Sequence, residues 1–98
     1  MKQLKDKKVA APRMDGTCQQ TSCPMGTTEE KVVARFGKPV FAWAQICEYT
    51  QEEYTEMMWV FVEDDAVATI YNHRGTDWEI GGKGDCDKLV RKLRAALR

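Results

Sequence analysis

Two apolar runs, Met57–Val62 and Ala66–Asn72, stand on either side of an acidic pair, Asp64-Asp65. Both runs are rich in β-branched and aromatic residues, so the pattern predicts two antiparallel strands joined by a tight turn. The first run is apolar on both faces, which suits a strand at the centre of a sheet. Tight hairpin turns need a positive φ, and an Asp pair followed by Ala66 supplies it less easily than glycine would. Arg74-Gly75-Thr76-Asp77 predicts the next turn, Trp78-Glu79-Ile80 a short last strand, and Gly81-Gly82-Lys83-Gly84 a loop.

Helices are expected on both sides of this hairpin. Thr27 and Glu30 have the spacing of a capping box, and Val32, Val33 and Phe36 form an apolar stripe. Gly37 and Pro39 then stop the chain, which predicts a short helix over 28–36. Val40–Tyr49 reads as a strand, with Val40, Ala42, Ala44 and Ile46 on one face. Residues 50–56 read as a loop, with a helical turn at 51–56 as the alternative. At the C-terminal end, Asp85 is expected to cap an amphipathic helix. Its apolar face is Cys86, Leu89, Val90, Leu93 and Leu97, and its solvent face is Lys88, Arg91, Lys92, Arg94 and Arg98. Residues 1–26 show no periodicity and are read as a flexible N-terminal arm. The fold class is therefore α+β: residues 27–98 form one domain, an antiparallel four-stranded meander with helices packed on one face.

At 98 residues, 43% of them hydrophobic, the chain can build one modest core. No apolar run is long enough to span a bilayer, and the basic N-terminus lacks the apolar stretch of a secretory signal, so a cytoplasmic location is expected. The charges are sorted along the chain although the net charge is zero. Between Lys38 and Arg74 there is no Lys or Arg, while Glu48, Glu52, Glu53, Glu56, Glu63, Asp64 and Asp65 are all acidic. This belt is expected to engage a basic protein surface, steering association electrostatically. The alternative is neutralisation by the protein's own basic helix, within one chain or between two copies.

The remaining chemistry is sparse. Cys18 and Cys23 are weak metal candidates: structural zinc sites usually combine two short-spaced ligand pairs, and no second pair exists. The cysteines are expected to be free thiols, with Cys47 and Cys86 as small buried hydrophobes, and no cofactor is expected. His73 is the one histidine and has no nucleophile at recognisable spacing, so no catalytic residue is assigned. Gly81, Gly82 and Lys83 ahead of a helix could cradle a phosphate, and with Tyr71, Asn72, His73, Arg74 and Trp78 they make an alternative ligand site. The aromatic set Trp43, Tyr49, Tyr54, Trp59, Phe61, Tyr71 and Trp78 is read as core. Its acidic neighbours disfavour direct nucleic-acid binding.

Trp59, Ala68-Thr69-Ile70-Tyr71-Asn72 and Trp78-Glu79-Ile80-Gly81-Gly82 together resemble a pattern recurring in small bacteriophage-encoded proteins of uncharacterised function. Phe36-Gly37-Lys38-Pro39 resembles their FG-x-P element. The resemblance covers residues 27–82, and Ala66 stands where those proteins usually have Gly. It implies a small accessory protein acting on host machinery, a group that includes inhibitors of CRISPR effectors and sponges for nucleotide immune signals. The helix over 28–36 followed by strands is also similar to small bacterial outer-membrane assembly lipoproteins, whose lipoprotein signal is not found here. The expected function is thus a non-enzymatic, anti-CRISPR-like inhibitor that binds a host defence protein through the acidic belt. Its partner would be a nucleic-acid-binding complex. The alternatives are a small oligomer that sequesters a phosphorylated nucleotide, and a zinc-stabilised adaptor.

Overall fold

A computed structural model describes residues 1–75 and 77–98. Among them the chain runs β1 (Lys2–Leu4), α1 (Lys7–Met14), β2 (Cys18–Ser22), α2 (Glu29–Phe36), β3 (Phe41–Ile46), β4 (Glu53–Glu63), β5 (Ala66–His73), β6 (Asp77–Lys83) and α3 (Asp87–Ala96). The mixture of helix and antiparallel sheet is the expected α+β class, but the sheet has six strands among the described residues and not four. Its order is β1-β4-β5-β6-β2, and β3 also pairs with β4.

β4 organises the sheet. Its second half aligns with β5 from Met58↔Tyr71 to Glu63↔Ala66. On its other side it holds two partners end to end: β3 along Glu53–Met58 and β1 along Val60–Val62. The tight turn does form, with Asp64 taking the positive φ of 51°. Asp tolerates the left-handed region better than most residues, so the turn survives without glycine.

Alternation along the strands divides the apolar side chains between two faces. Trp59, Phe61, Ala68, Ile70 and Ile80 face α2 and α3, where Val32, Phe36, Leu89, Val90 and Leu93 complete the larger core. Val60 and Val67 face the other way and pack with Leu4, Ala10 and Val40. The helices therefore cover both faces, not one. Phe36 meets Phe61 edge-on at 4.8 Å, and the Trp59 indole N–H donates to the Gly37 carbonyl at 2.9 Å. That bond ties the end of α2 to the sheet centre. Gly37 itself has φ 80°, the left-handed conformation that lets the helix stop there.

Residues 1–26 are not an arm. β1 and β2 pair antiparallel with β4 and β6, and Leu4, Ala10 and Cys23 are buried. The arm reading fails because these strands are held by backbone pairing, which leaves little trace in side-chain periodicity. Three boundaries also move. Thr28, not Thr27, caps α2, its hydroxyl accepting from the Lys31 N–H at 3.3 Å. Residues 53–56 belong to β4, not to a loop or helical turn. Asp85 does not cap α3, whose N-cap is Cys86 with no side-chain bond. Of the turn predicted at 74–77, Thr76 lies outside the described residues. No helix among the described residues is long and apolar enough to cross a membrane.

Candidate functional site

β4 and β5 part company at Asn72. Beyond Met58↔Tyr71 the two strands share no further ladder pairs, and the buried Asn72 side chain fills in for them. Its Oδ1 accepts the Met57 N–H at 2.6 Å and its Nδ2 donates to the Thr55 carbonyl at 3.0 Å. The first half of β4 leaves β5 and continues with β3 alone. Residues 41–57 thus form a hairpin that diverges from the main sheet, with a cleft of about 510 Å³ at the fork lined by Thr28, Tyr54, Asn72 and Trp78 among others.

The hairpin carries the exposed apolar surface. Every residue from Ala42 to Ile46 is exposed, with Trp43 at 38%, Ile46 at 60% and Tyr49 at 83%. Phe41 and Trp43 stack with parallel rings 5.3 Å apart on one face. Trp43 and Tyr49 were expected in the core and are exposed instead, belonging to neither of the two buried clusters. Trp59 and Phe61 are buried as the core reading requires. An alternating apolar strand beside a strand of mixed polarity carries no label saying which helix covers it, so the sequence could not separate these aromatics.

The acidic belt does not form one surface. Glu48 and Glu52 lie in the hairpin turn, Glu53 begins β4, and Glu56 pairs across from Trp43. Glu63, Asp64 and Asp65 sit at the opposite end of β4, about 30 Å from Glu53 at a strand's rise per residue. Glu63 is neutralised within the chain: it pairs with Lys92 of α3 at 2.5 Å and with the N-terminal ammonium of Met1 at 3.2 Å. The hydrogen bond from Lys92, and then that from the N-terminus, hold its carboxyl below the ordinary range. Internal neutralisation is therefore correct for this one member. Among the described residues, no salt bridge engages Glu48, Glu52, Glu53 or Glu56.

The alternative ligand residues do not converge. Tyr71, Gly81 and Lys83 lie on the α1 side of the sheet, whereas Asn72, Trp78 and Gly82 lie on the α2–α3 side. Gly81 and Gly82 are not a loop; both are buried inside β6 and laddered to β5 and β2. A Cβ on Gly82 would stand 2.8 Å from the Cys86 sulfur, and one on Gly81 2.7 Å from the Thr69 hydroxyl. These glycines allow close packing, so they are not a phosphate nest. Lys83 donates to the Asp15 carbonyl, and Asn72 is committed to the fork. His73 is exposed, and the Arg74 guanidinium sits 6.0 Å over the Tyr49 ring. Tyr71 is half-buried, and burial, reinforced by the charges of Glu79 and Glu56, pushes its phenol up.

Among the described residues, no three His, Cys, Asp or Glu side chains are placed to hold a metal. Cys18 is exposed on β2, while Cys23 is buried and desolvation pushes its thiol up to about 12. Cys86 is buried with its thiol also raised by desolvation. Cys47, at the hairpin turn, is not buried as expected but half-buried, and hydrogen bonding from the Thr50 side chain lowers its pKa. No family model matches the chain, and neither does any curated protein or solved structure.

Proposed function

We propose that the protein is a non-enzymatic binding protein that docks on a basic protein surface through the β3–β4 hairpin. The observation that carries this reading is one projecting element that combines uncompensated Glu48, Glu52, Glu53 and Glu56 with exposed Trp43, Ile46 and Tyr49. Exposed aromatic and aliphatic surface beside mainly acidic charge, with Arg74 over Tyr49 at its margin, is the composition of an interaction patch: the apolar groups supply contact energy and the charges supply steering. A host defence complex whose groove normally holds nucleic acid offers the matching basic surface. Occupying that groove would inhibit it, which is the phage-type activity this reading assigns. Glu63 drops out of the contact surface because Lys92 already satisfies it, and Asp64 and Asp65 sit too far along β4 to share one footprint with the hairpin.

The test is a triple reversal, Glu48→Lys, Glu52→Lys and Glu53→Lys, set beside the unaltered protein in capture from host lysate at rising salt. A partner held by the unaltered protein, lost as salt rises and lost in the reversed variant is expected. Its activity should fall when the unaltered protein is added and not when the variant is. A partner retained equally by both proteins would refute the acidic-hairpin reading.

A further inference from the structure

Among the described residues one buried polar side-chain atom has no hydrogen-bond partner: the hydroxyl oxygen of Thr69, in a residue with no exposed surface. Leaving it so is unfavourable, because the group has given up water and gained nothing in return. Thr69 stands opposite Gly81 in the β5–β6 ladder. A Cβ on Gly81 would lie 2.7 Å from that hydroxyl and 3.2 Å from the Cys18 carbonyl, so two oxygens flank the space beside the glycine. The edge of the half-buried Tyr71 ring is 3.3 Å from the same point. Gly81 and Tyr71 both line a cleft of about 350 Å³ between the C-terminal end of α1 and the sheet.

The open side of this cleft is negative. Asp15 is exposed, Glu56 is half-buried, both line it, and no salt bridge among the described residues engages either. Met14 ends α1 there, which adds the negative end of the helix dipole. No Lys, Arg or His is among the described residues that line it, and Lys83 close by is committed to the Asp15 carbonyl. The Tyr71 phenol, pushed up by burial and then by Glu79 and Glu56, responds to the same field. Two further lining residues, Met14 and Met58, bring flexible thioether side chains that pack well against an aliphatic chain.

We infer that this cleft binds a short aliphatic amino alcohol. Its ammonium group sits at Glu56 and Asp15, its methylene chain lies against Met14 and Met58, and its hydroxyl bonds to Thr69. The order of the groups follows from solvation. An ammonium is stable where carboxylates and water share it, whereas burying it beside one hydroxyl is far more costly than burying a neutral group. A hydroxyl both donates and accepts, so it pairs with Thr69 whichever way that hydroxyl turns. Turning the Tyr71 ring aside opens Thr69 to the cleft. A metal ion fits less well, since no three His, Cys, Asp or Glu among the described residues are placed to hold one. Of the hairpin acids only Glu56 is shared with the docking surface. Glu48, Glu52 and Glu53, which carry the test above, do not line the cleft, so either reading can fail alone.

Amide chemical shifts of the full chain, followed by NMR, test the inference with four probes: aminopentanol with its two groups at opposite chain ends, pentylamine, pentanol and pentanoate. Aminopentanol is expected to shift Thr69 and Gly81 saturably and to bind about fivefold more tightly than pentylamine, the margin of one hydrogen bond. Pentanol and pentanoate are expected to leave both amides unmoved. Thr69→Val keeps the shape and removes the unpaired hydroxyl, so the thermal midpoint of the free protein should hold or rise. Its affinity for aminopentanol should fall about fivefold, to the value for pentylamine, which should not change. Glu56→Gln should weaken both amines roughly threefold. No saturable shift with aminopentanol overturns the inference, and so does pentanol binding as tightly. Equal affinities of the unaltered protein for the two amines would mean that water serves Thr69, and would overturn it too. That comparison needs no variant, so it decides the matter even if Thr69→Val does not fold.

Discussion

Asn72 decides the shape of this sheet. In an uninterrupted ladder the Met57 N–H and Thr55 carbonyl would pair with β5 backbone; here one side chain serves both, fully buried. Each buried group left without a partner costs about 1–3 kcal/mol. Asn72→Ala therefore orphans two groups and should lower the unfolding free energy by about 2–4 kcal/mol, read from urea denaturation. Amide exchange should accelerate at Met57 in particular. A loss below about 1 kcal/mol would mean that water already serves these groups as well as the amide does. The sequence named Asn72, but as a ligand residue, because a polar side chain at a strand end looks the same whether it faces a ligand or its own backbone. Gly81 and Gly82 misled for a related reason. Glycine marks either a turn or a close approach, and only the position of Cys86 and Thr69 against them shows which.

At the scale of elements, legibility followed side-chain periodicity. α2 and α3 announce themselves by apolar stripes, and the β4–β5 hairpin by two apolar runs, because each buries several of its own side chains. β1 and α1 bury only Leu4 and Ala10, β2 buries none of its own side chains although Cys23 just beyond it is buried, and α1 even carries Pro12 inside it. What holds them is pairing with β4 and β6, which is a property of neighbours far along the chain. This makes a sharp prediction for the segment first read as an arm. Deleting residues 1–22 removes two strands and uncovers Val60 and Val67. At about 1.5–3 kcal/mol per large apolar side chain, exposing Val60 and Val67 and losing Leu4 should cost roughly 5 kcal/mol or more. Thermal unfolding followed by circular dichroism should therefore show a much lower or broadened transition. An unchanged transition would restore the arm reading. The candidate surface was half legible: Glu48, Glu52, Glu53 and Glu56 could be read from composition, but not the covering of one β4 half and the exposure of the other.

Across the whole molecule, Glu63 is the point at which distant parts of the chain meet. It joins the end of β4, the first residue and α3 through two ion pairs. Its carboxyl is held below its ordinary 4.5, with the Lys92 hydrogen bond the largest cause. The sign follows from linkage: a carboxylate whose pKa is lower folded than unfolded adds stability above the unfolded value and loses it as pH falls through the folded one. Unfolding free energies of the unaltered protein and Glu63→Gln should therefore differ most near neutrality. The gap should close as the solution is acidified below about pH 4.5, where the unfolded-state carboxyl takes up its proton first. Other carboxylates titrate in the same range, but they do so in both proteins and cancel in the difference. Two curves that run parallel into acid would mean that the pair contributes through packing of the Lys92 and Glu63 stems and not through charge. The same comparison shows why the acidic residues cannot act as one belt. The end of β4 that meets α3 uses its charge to close the fold, whereas at the hairpin end no salt bridge among the described residues engages Glu48, Glu52, Glu53 or Glu56.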